Sequence, residues 1–245
     1  MSKLDDPLDA SFEEYSREDE ISGAELARKL AGDLFWPVAL VNTAFDHFRT
    51  PSRRGRLLEL LEALITRVKR LEAKRPNNDE ESAKLESNLG SEVFLEAWTQ
   101  AAEEAVRTSD RKKIQRFAAV LAGTVDPANS SPQMEDLPAL IRDVAQLGEL
   151  DLEVLKILEA VYSDAIVTNP NMHDPNVFND QINTLLKKVR ESGMHREFFY
   201  SHCARLSGFG LAIEVPRNPS RVAPGDYCFR PTRRGMDLLA LLRGH

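Results

Sequence analysis

The sequence has few of the features that mark secreted, disulfide-rich or membrane-spanning proteins. Its 245 residues include two cysteines, Cys203 and Cys228, with 24 residues between them and no CxxC pair. This usage excludes a disulfide framework, and a reducing cytoplasm is the simplest location for such a chain. No apolar run approaches the ~20 residues that a membrane span needs, and the acidic beginning of the chain does not resemble a signal peptide. We therefore expect a cytoplasmic protein.

Motifs for catalysis or metal binding are also lacking. The Gly-Phe-Gly sequence at 208–210 has no strand before it and no helix after it, so it does not predict a phosphate-binding loop. There is no His-Glu-x-x-His motif. His195, His202 and Cys203 lie close together, but their spacing on a helix is not one that usually binds zinc. The sequence thus predicts a protein that is not an enzyme, with no cofactor and no metal site.

The chain is acidic overall, but its charge is unevenly distributed. The formal net charge is −7 and the pI is about 5.4, whereas nucleic-acid-binding domains are usually basic. Residues 1–20 contain eight acidic and two basic side chains and little apolar surface, which predicts an acidic flexible tail. Residues 195–245 instead contain eight arginines and four acids, so this C-terminal part is locally basic.

Helical periodicity predicts a helical domain over residues 21–148. Ser22 and Glu25 predict a capping box at its start, and residues 35–48 have the composition of a buried helix. The clearest helix spans residues 53–74, where apolar side chains recur in steps of four and three. We name this row the heptad seam; it consists of Leu57, Leu61, Leu64, Val68 and Leu71.

The heptad seam has two interpretations. In a dimer-forming coiled coil the seam would be buried between two chains, whereas in a helical bundle it would be buried within one chain. The bundle is favoured because the seam covers about two heptads, and coiled coils usually sustain it over ~3–4. Leu58, Leu60 and Ile65 also widen the apolar stripe, which suits a bundle.

Further helices are predicted along the rest of this domain. Ser109 and Asp110 offer a cap for one of them, and a loop at 127–132 separates two others. The predicted helices cover residues 79–106 with an interruption at Gly90, 111–125, 137–147 and 150–162.

The C-terminal region, residues 149–245, changes to a mixed pattern. Two more helices follow a turn-rich stretch at 163–175, and alternating apolar residues then predict two short strands. Thr232 is the predicted cap of a closing helix. In order, the elements are helices over 150–162, 177–189 and 195–206, strands at 211–215 and 227–229, and a helix after Thr232.

This order of elements describes a winged helix-turn-helix. The sequence at 229–239, Phe-Arg-Pro-Thr-Arg-Arg-Gly-Met-Asp-Leu-Leu, resembles the strand-Thr-x-x-Gly-x-x-Leu-Leu ending that is common in winged-helix proteins. The predicted fold class is therefore mainly α. It combines an N-terminal helical bundle with a C-terminal winged-helix-like module that contains a small β-hairpin.

If this module binds DNA, the helix at 195–206 would enter the major groove. The opposing interpretation is a module for protein contacts, because Phe198, Phe199 and Tyr200 make this helix apolar for a groove and the whole chain is acidic. The candidate DNA contacts are Arg196, Ser201 and Arg205 on the helix, Arg217 and Arg221 on the wing, and Arg230, Arg233 and Arg234 near phosphates.

Part of the chain resembles a bacterial family, the Abi-alpha family, which is named for a supposed role in abortive infection. Its helix-ending phrase is similar to Val-Leu-Ala at 120–122, which is followed by Asp-Pro at 126–127. The junction Gln-Leu-Gly-Glu-Leu-Asp at 146–151 also matches the family, apart from Gly148 and Glu149, where a serine and a proline are expected. The resemblance covers about residues 80–245. It implies a bacterial, non-enzymatic protein and adds no site residue.

These observations predict a bacterial, non-enzymatic interaction protein of the cytoplasm, linked to phage defence or stress. It would bind a protein partner or self-associate, for example as a homodimer. The alternative is a DNA-binding transcriptional regulator that acts through the C-terminal winged helix. No membrane association is expected.

Overall fold

The computed structural model describes residues 51–73, 79–126, 137–168, 175–216 and 227–243. In these ranges the chain is mainly helical, with one small antiparallel sheet. Its contacts divide it into two compact units; the first ends at Ala145, and the second consists of Gln146–Arg243. No helix in the described ranges combines the length and apolar character needed to cross a membrane. Several predicted features lie outside these ranges, namely the acidic tail, the Ser22 cap, the helix at 35–48, the loop at 127–132, and Arg217 and Arg221.

The described part of the first unit is built from helices whose ends follow the sequence signals. The helices are α1 (Pro51–Ala73), α2 (Asp79–Leu89), α3 (Glu92–Arg107), α4 (Arg111–Val125) and α5 (Leu137–Gln146). The last residue of α5, Gln146, is the first residue of the second unit. Ser91 caps α3 by accepting a hydrogen bond from the Phe94 N–H (3.2 Å). Asp110 caps α4 by accepting one from the Lys112 N–H (2.9 Å). The predicted cap and limits of α4 are thus confirmed.

The heptad seam of α1 is buried within the chain itself. All of its side chains are at most 2% exposed. Helix α1 packs against α3 and α4, and the Arg56 guanidinium donates a hydrogen bond to the Val106 carbonyl oxygen (2.7 Å). The intramolecular interpretation is therefore confirmed. The seam has no apolar surface left for a second chain, so it gives no support to a coiled-coil dimer.

The core of the first unit lies among α1, α3 and α4. Trp98 on α3 and Phe117 on α4 are among its largest fully buried side chains. The second half of α4 is buried on every side and contains alanine and glycine, which allow neighbouring helices to approach closely. The Lys113 ammonium group donates a hydrogen bond to the Ala145 carbonyl oxygen (2.7 Å), which joins α4 to the end of α5.

The second unit contains its helices and strands in the predicted order. They are α6 (Glu149–Thr168), α7 (Pro175–Glu191), α8 (Arg196–Gly208), β1 (Ala212–Pro216), β2 (Tyr227–Pro231) and α9 (Arg233–Arg243). Helix α6 continues to Thr168, whereas the sequence pattern predicts its end at residue 162 and a turn-rich stretch from 163. That expectation was wrong for residues 163–168, because they contain no glycine or proline and the next helix-breaking residue is Pro170.

The two strands form an antiparallel hairpin that α9 follows directly. Residues 212–216 pair with 231–227, from Ala212 opposite Pro231 to Pro216 opposite Tyr227. Thr232 then accepts a hydrogen bond from the Gly235 N–H at its hydroxyl oxygen (3.1 Å) and donates one to the Gly210 carbonyl oxygen (2.7 Å). The predicted cap of the closing helix is confirmed, and the same hydroxyl ties that helix to the residues before β1.

Candidate interaction surface

Helix α8 holds one row of its side chains in the core of the second unit. Phe199, Cys203 and Leu206 recur at i, i+4 and i+7 and are completely buried. The helix packs against α6, α7 and β1. Because this row is fixed in the core, the row beside it is held near the surface.

This neighbouring row, which we name the outer row, consists of His195, Phe198, His202 and Arg205. Its spacing of three, four and three residues places these side chains along one stripe of the helix. Phe198 is 63% exposed, and its ring packs edge-on against the His195 ring with 6.4 Å between the centroids. The outer row therefore presents an aromatic side chain to solvent.

The C-terminal half of the outer row is held by a buried carboxylate. Asp151, whose side chain is 1% exposed, places Oδ1 at 2.7 Å from His202 Nδ1. Its Oδ2 accepts a hydrogen bond from the Gly148 N–H (2.7 Å) and lies 3.6 Å from Arg205 Nε. The acid thus caps the first turn of α6 and joins that turn to α8.

The polar side chains of α8 that were candidates for DNA contacts all interact with their own unit. The Arg196 guanidinium lies over the Tyr200 ring at 5.3 Å from its centroid. The Ser201 hydroxyl donates to the Phe198 carbonyl oxygen (2.9 Å), and Arg205 donates to the Gln146 carbonyl oxygen (2.6 Å). None of these contacts removes the side chain from solvent, but each would compete with binding to phosphate.

The candidate arginines at 230, 233 and 234 differ strongly in accessibility. Arg230 is buried, lies over the Tyr162 ring at 5.3 Å from its centroid, and donates to Gln181 Oε1 (3.2 Å). This burial argues against the predicted phosphate contact at Arg230, because its guanidinium serves the interior. Arg234 donates to the Phe209 carbonyl oxygen (2.7 Å). The side chain of Arg233 is 91% exposed and lies 3.9 Å from Asp237.

The local arginine excess does not make the second unit basic. Residues 146–243 contain twelve Asp and Glu residues and twelve Lys and Arg residues. The acids of α6 and α7 therefore offset the arginines that come later in the chain. Around Phe198 the exposed residues of α8 have mixed charge, since Glu197 lies beside Arg196.

The two cysteines are interior residues with no sign of reactivity. Cys203 and Cys228 are buried free thiols. Burial raises the pKa of both thiols, and it also raises the pKa of Tyr162, whose hydroxyl lies 2.7 Å from Cys228 Sγ. A thiol with a raised pKa is a poor nucleophile and a poor metal ligand at neutral pH. Among the described residues, no group of three or more His, Cys, Asp or Glu side chains could hold a metal ion.

Sequence reasoning missed the role of Asp151. His202 was considered beside Cys203 as a metal ligand, but the structure turns these two neighbours in different directions and pairs His202 with Asp151. The only local signal was an acid in the first turn of a helix with a glycine before it, which predicts a cap and says nothing about a histidine 51 residues away.

Comparison of the chain with protein-family models, with curated proteins and with solved structures found no match.

Proposed function

We propose that this protein is a non-enzymatic interaction protein and that its C-terminal unit docks on another protein through the outer row of α8. The observation that carries the proposal is the 63% exposure of Phe198 in the middle of that row. Full burial of a phenylalanine stabilises by about 1.5–3 kcal/mol, and a partner that covered the ring would gain the share of this free energy that belongs to its exposed surface. Aromatic side chains are also enriched at the centres of protein interfaces.

The distribution of exposed apolar side chains supports the same unit as the docking module. Among the described residues, the large apolar side chains that are strongly exposed are Leu150, Phe198 and Ile213, and all three belong to the second unit. In the described part of the first unit no large apolar side chain is strongly exposed, and the heptad seam is almost completely covered. In this proposal the N-terminal bundle is a scaffold, and the winged-helix-like C-terminal unit makes the contact.

The resemblance to the Abi-alpha family supports a bacterial, non-enzymatic protein. In this proposal the protein acts in a bacterial cytoplasm, with a role in phage defence or stress. Docking of one protein on another needs no catalytic residues, which agrees with the lack of a catalytic motif in the sequence.

Site-specific photo-cross-linking in the native host tests the proposal. A photo-reactive residue at Ser201 is suitable because Ser201 is exposed on α8 and its hydroxyl bonds only to a backbone oxygen of the same helix among the contacts described. We expect a protein to be cross-linked at this position, with a yield that falls severalfold when Phe198→Ala is introduced. Lys187, which is exposed on α7, is the matched control position and should give no such product.

Three results would contradict docking through the outer row. They are the absence of a cross-linked protein at 201, an equal yield of the same protein at 187, and a yield that Phe198→Ala leaves unchanged. Sedimentation equilibrium of the purified chain then distinguishes a second copy of this chain from a different protein, since only self-association shifts the measured mass with concentration.

DNA binding is the second candidate, and the 91% exposure of the Arg233 side chain favours it. Binding through counterion release would weaken by about 0.9 log units per phosphate contact for each tenfold rise in salt. A mobility shift at low salt that Arg196→Ala and Arg233→Ala both reduce would support a transcriptional regulator. No shift at low salt would exclude it.

A further inference from the structure

We draw no further inference here: the strongest candidate, the outer row of α8 with the contact between Asp151 and His202 beside Phe198, belongs to the surface already described, and nothing in the described part of the chain shows what covers it.

Discussion

Gly235, in the first turn of α9, lies directly against the backbone carbonyl group of Leu211. A Cβ atom at Gly235 would overlap the Leu211 carbonyl oxygen and would lie 3.2 Å from Leu155 Cδ1 on α6. The carbonyl of Leu211 also accepts a hydrogen bond from the Thr232 N–H (3.0 Å), so it has little freedom to move away. The closing helix can approach the start of the hairpin only because position 235 has no side chain.

Gly235→Ala should therefore destabilise the second unit. We expect a loss of about 1–3 kcal/mol or more in the free energy of unfolding, since backbone atoms must move to accommodate the methyl group. Chemical denaturation monitors this change. Gly208→Ala is the control, because a Cβ at Gly208 would meet no atom within 4 Å. Equal stability of the two variants would contradict the close packing of α9.

Leu64→Ala should destabilise the first unit without changing its oligomeric state. Leu64 is completely buried in the heptad seam, and its truncation leaves a cavity that costs about 2–5 kcal/mol. The exposed neighbour Thr66, replaced by alanine, is the control. Because the seam is buried within one chain, the unfolding midpoints of the native chain and of Leu64→Ala should not depend on protein concentration. A midpoint that rises with concentration, and does so equally in Phe198→Ala, would indicate a seam shared between chains.

Glu62→Gln should stabilise the first unit at neutral pH. Burial raises the pKa of Glu62 above its ordinary range, and the neighbouring carboxylate of Glu59 raises it further. The folded state then disfavours the ionised form, so the destabilisation is fully present above the folded-state pKa and disappears as the pH falls through it. The gain should be modest, because Glu62 is partly exposed and solvent screens its charge.

Denaturation curves at pH 7 and at acid pH test the sign of this effect. The stabilisation by Glu62→Gln should shrink as the pH is lowered. Glu96→Gln, on an exposed part of α3, removes one negative charge from the same unit and serves as the control. A gain for Glu62→Gln that grows at acid pH would contradict the raised pKa.

The native thiols should be unreactive until the second unit unfolds. Cys203 and Cys228 are buried, and burial raises the pKa of both thiols, so little thiolate is present at neutral pH. Titration with a chromogenic disulfide reagent should detect neither thiol in the native chain and both in denaturant. Ser201→Cys adds an exposed thiol on the same helix and should react at once. Rapid modification of the native chain would show that α8 is not packed as described.

Most of the helices in the described residues were predictable because their signals are local. The Asp110 cap, the limits of α4 and the cap at Thr232 depend on residues within one helical turn. The end of α6 was not predicted, since polar residues at 163 and 164 resemble a turn but do not stop a helix that has no glycine or proline. The candidate DNA contacts were chosen by residue type, which does not decide accessibility.

The sequence by itself determined the helical periodicity, the order of strands and helices in the C-terminal unit, and the lack of a recognisable catalytic motif. Only the tertiary structure decided which side chains are available for binding. Arg230 and Arg233 are close in sequence, yet one lies over Tyr162 in the interior and the other is almost fully exposed. Asp151 and His202 are distant in sequence, yet they meet at 2.7 Å. Periodicity indicates whether each segment forms a helix or a strand. Burial and side-chain pairing depend on which segments the fold brings together.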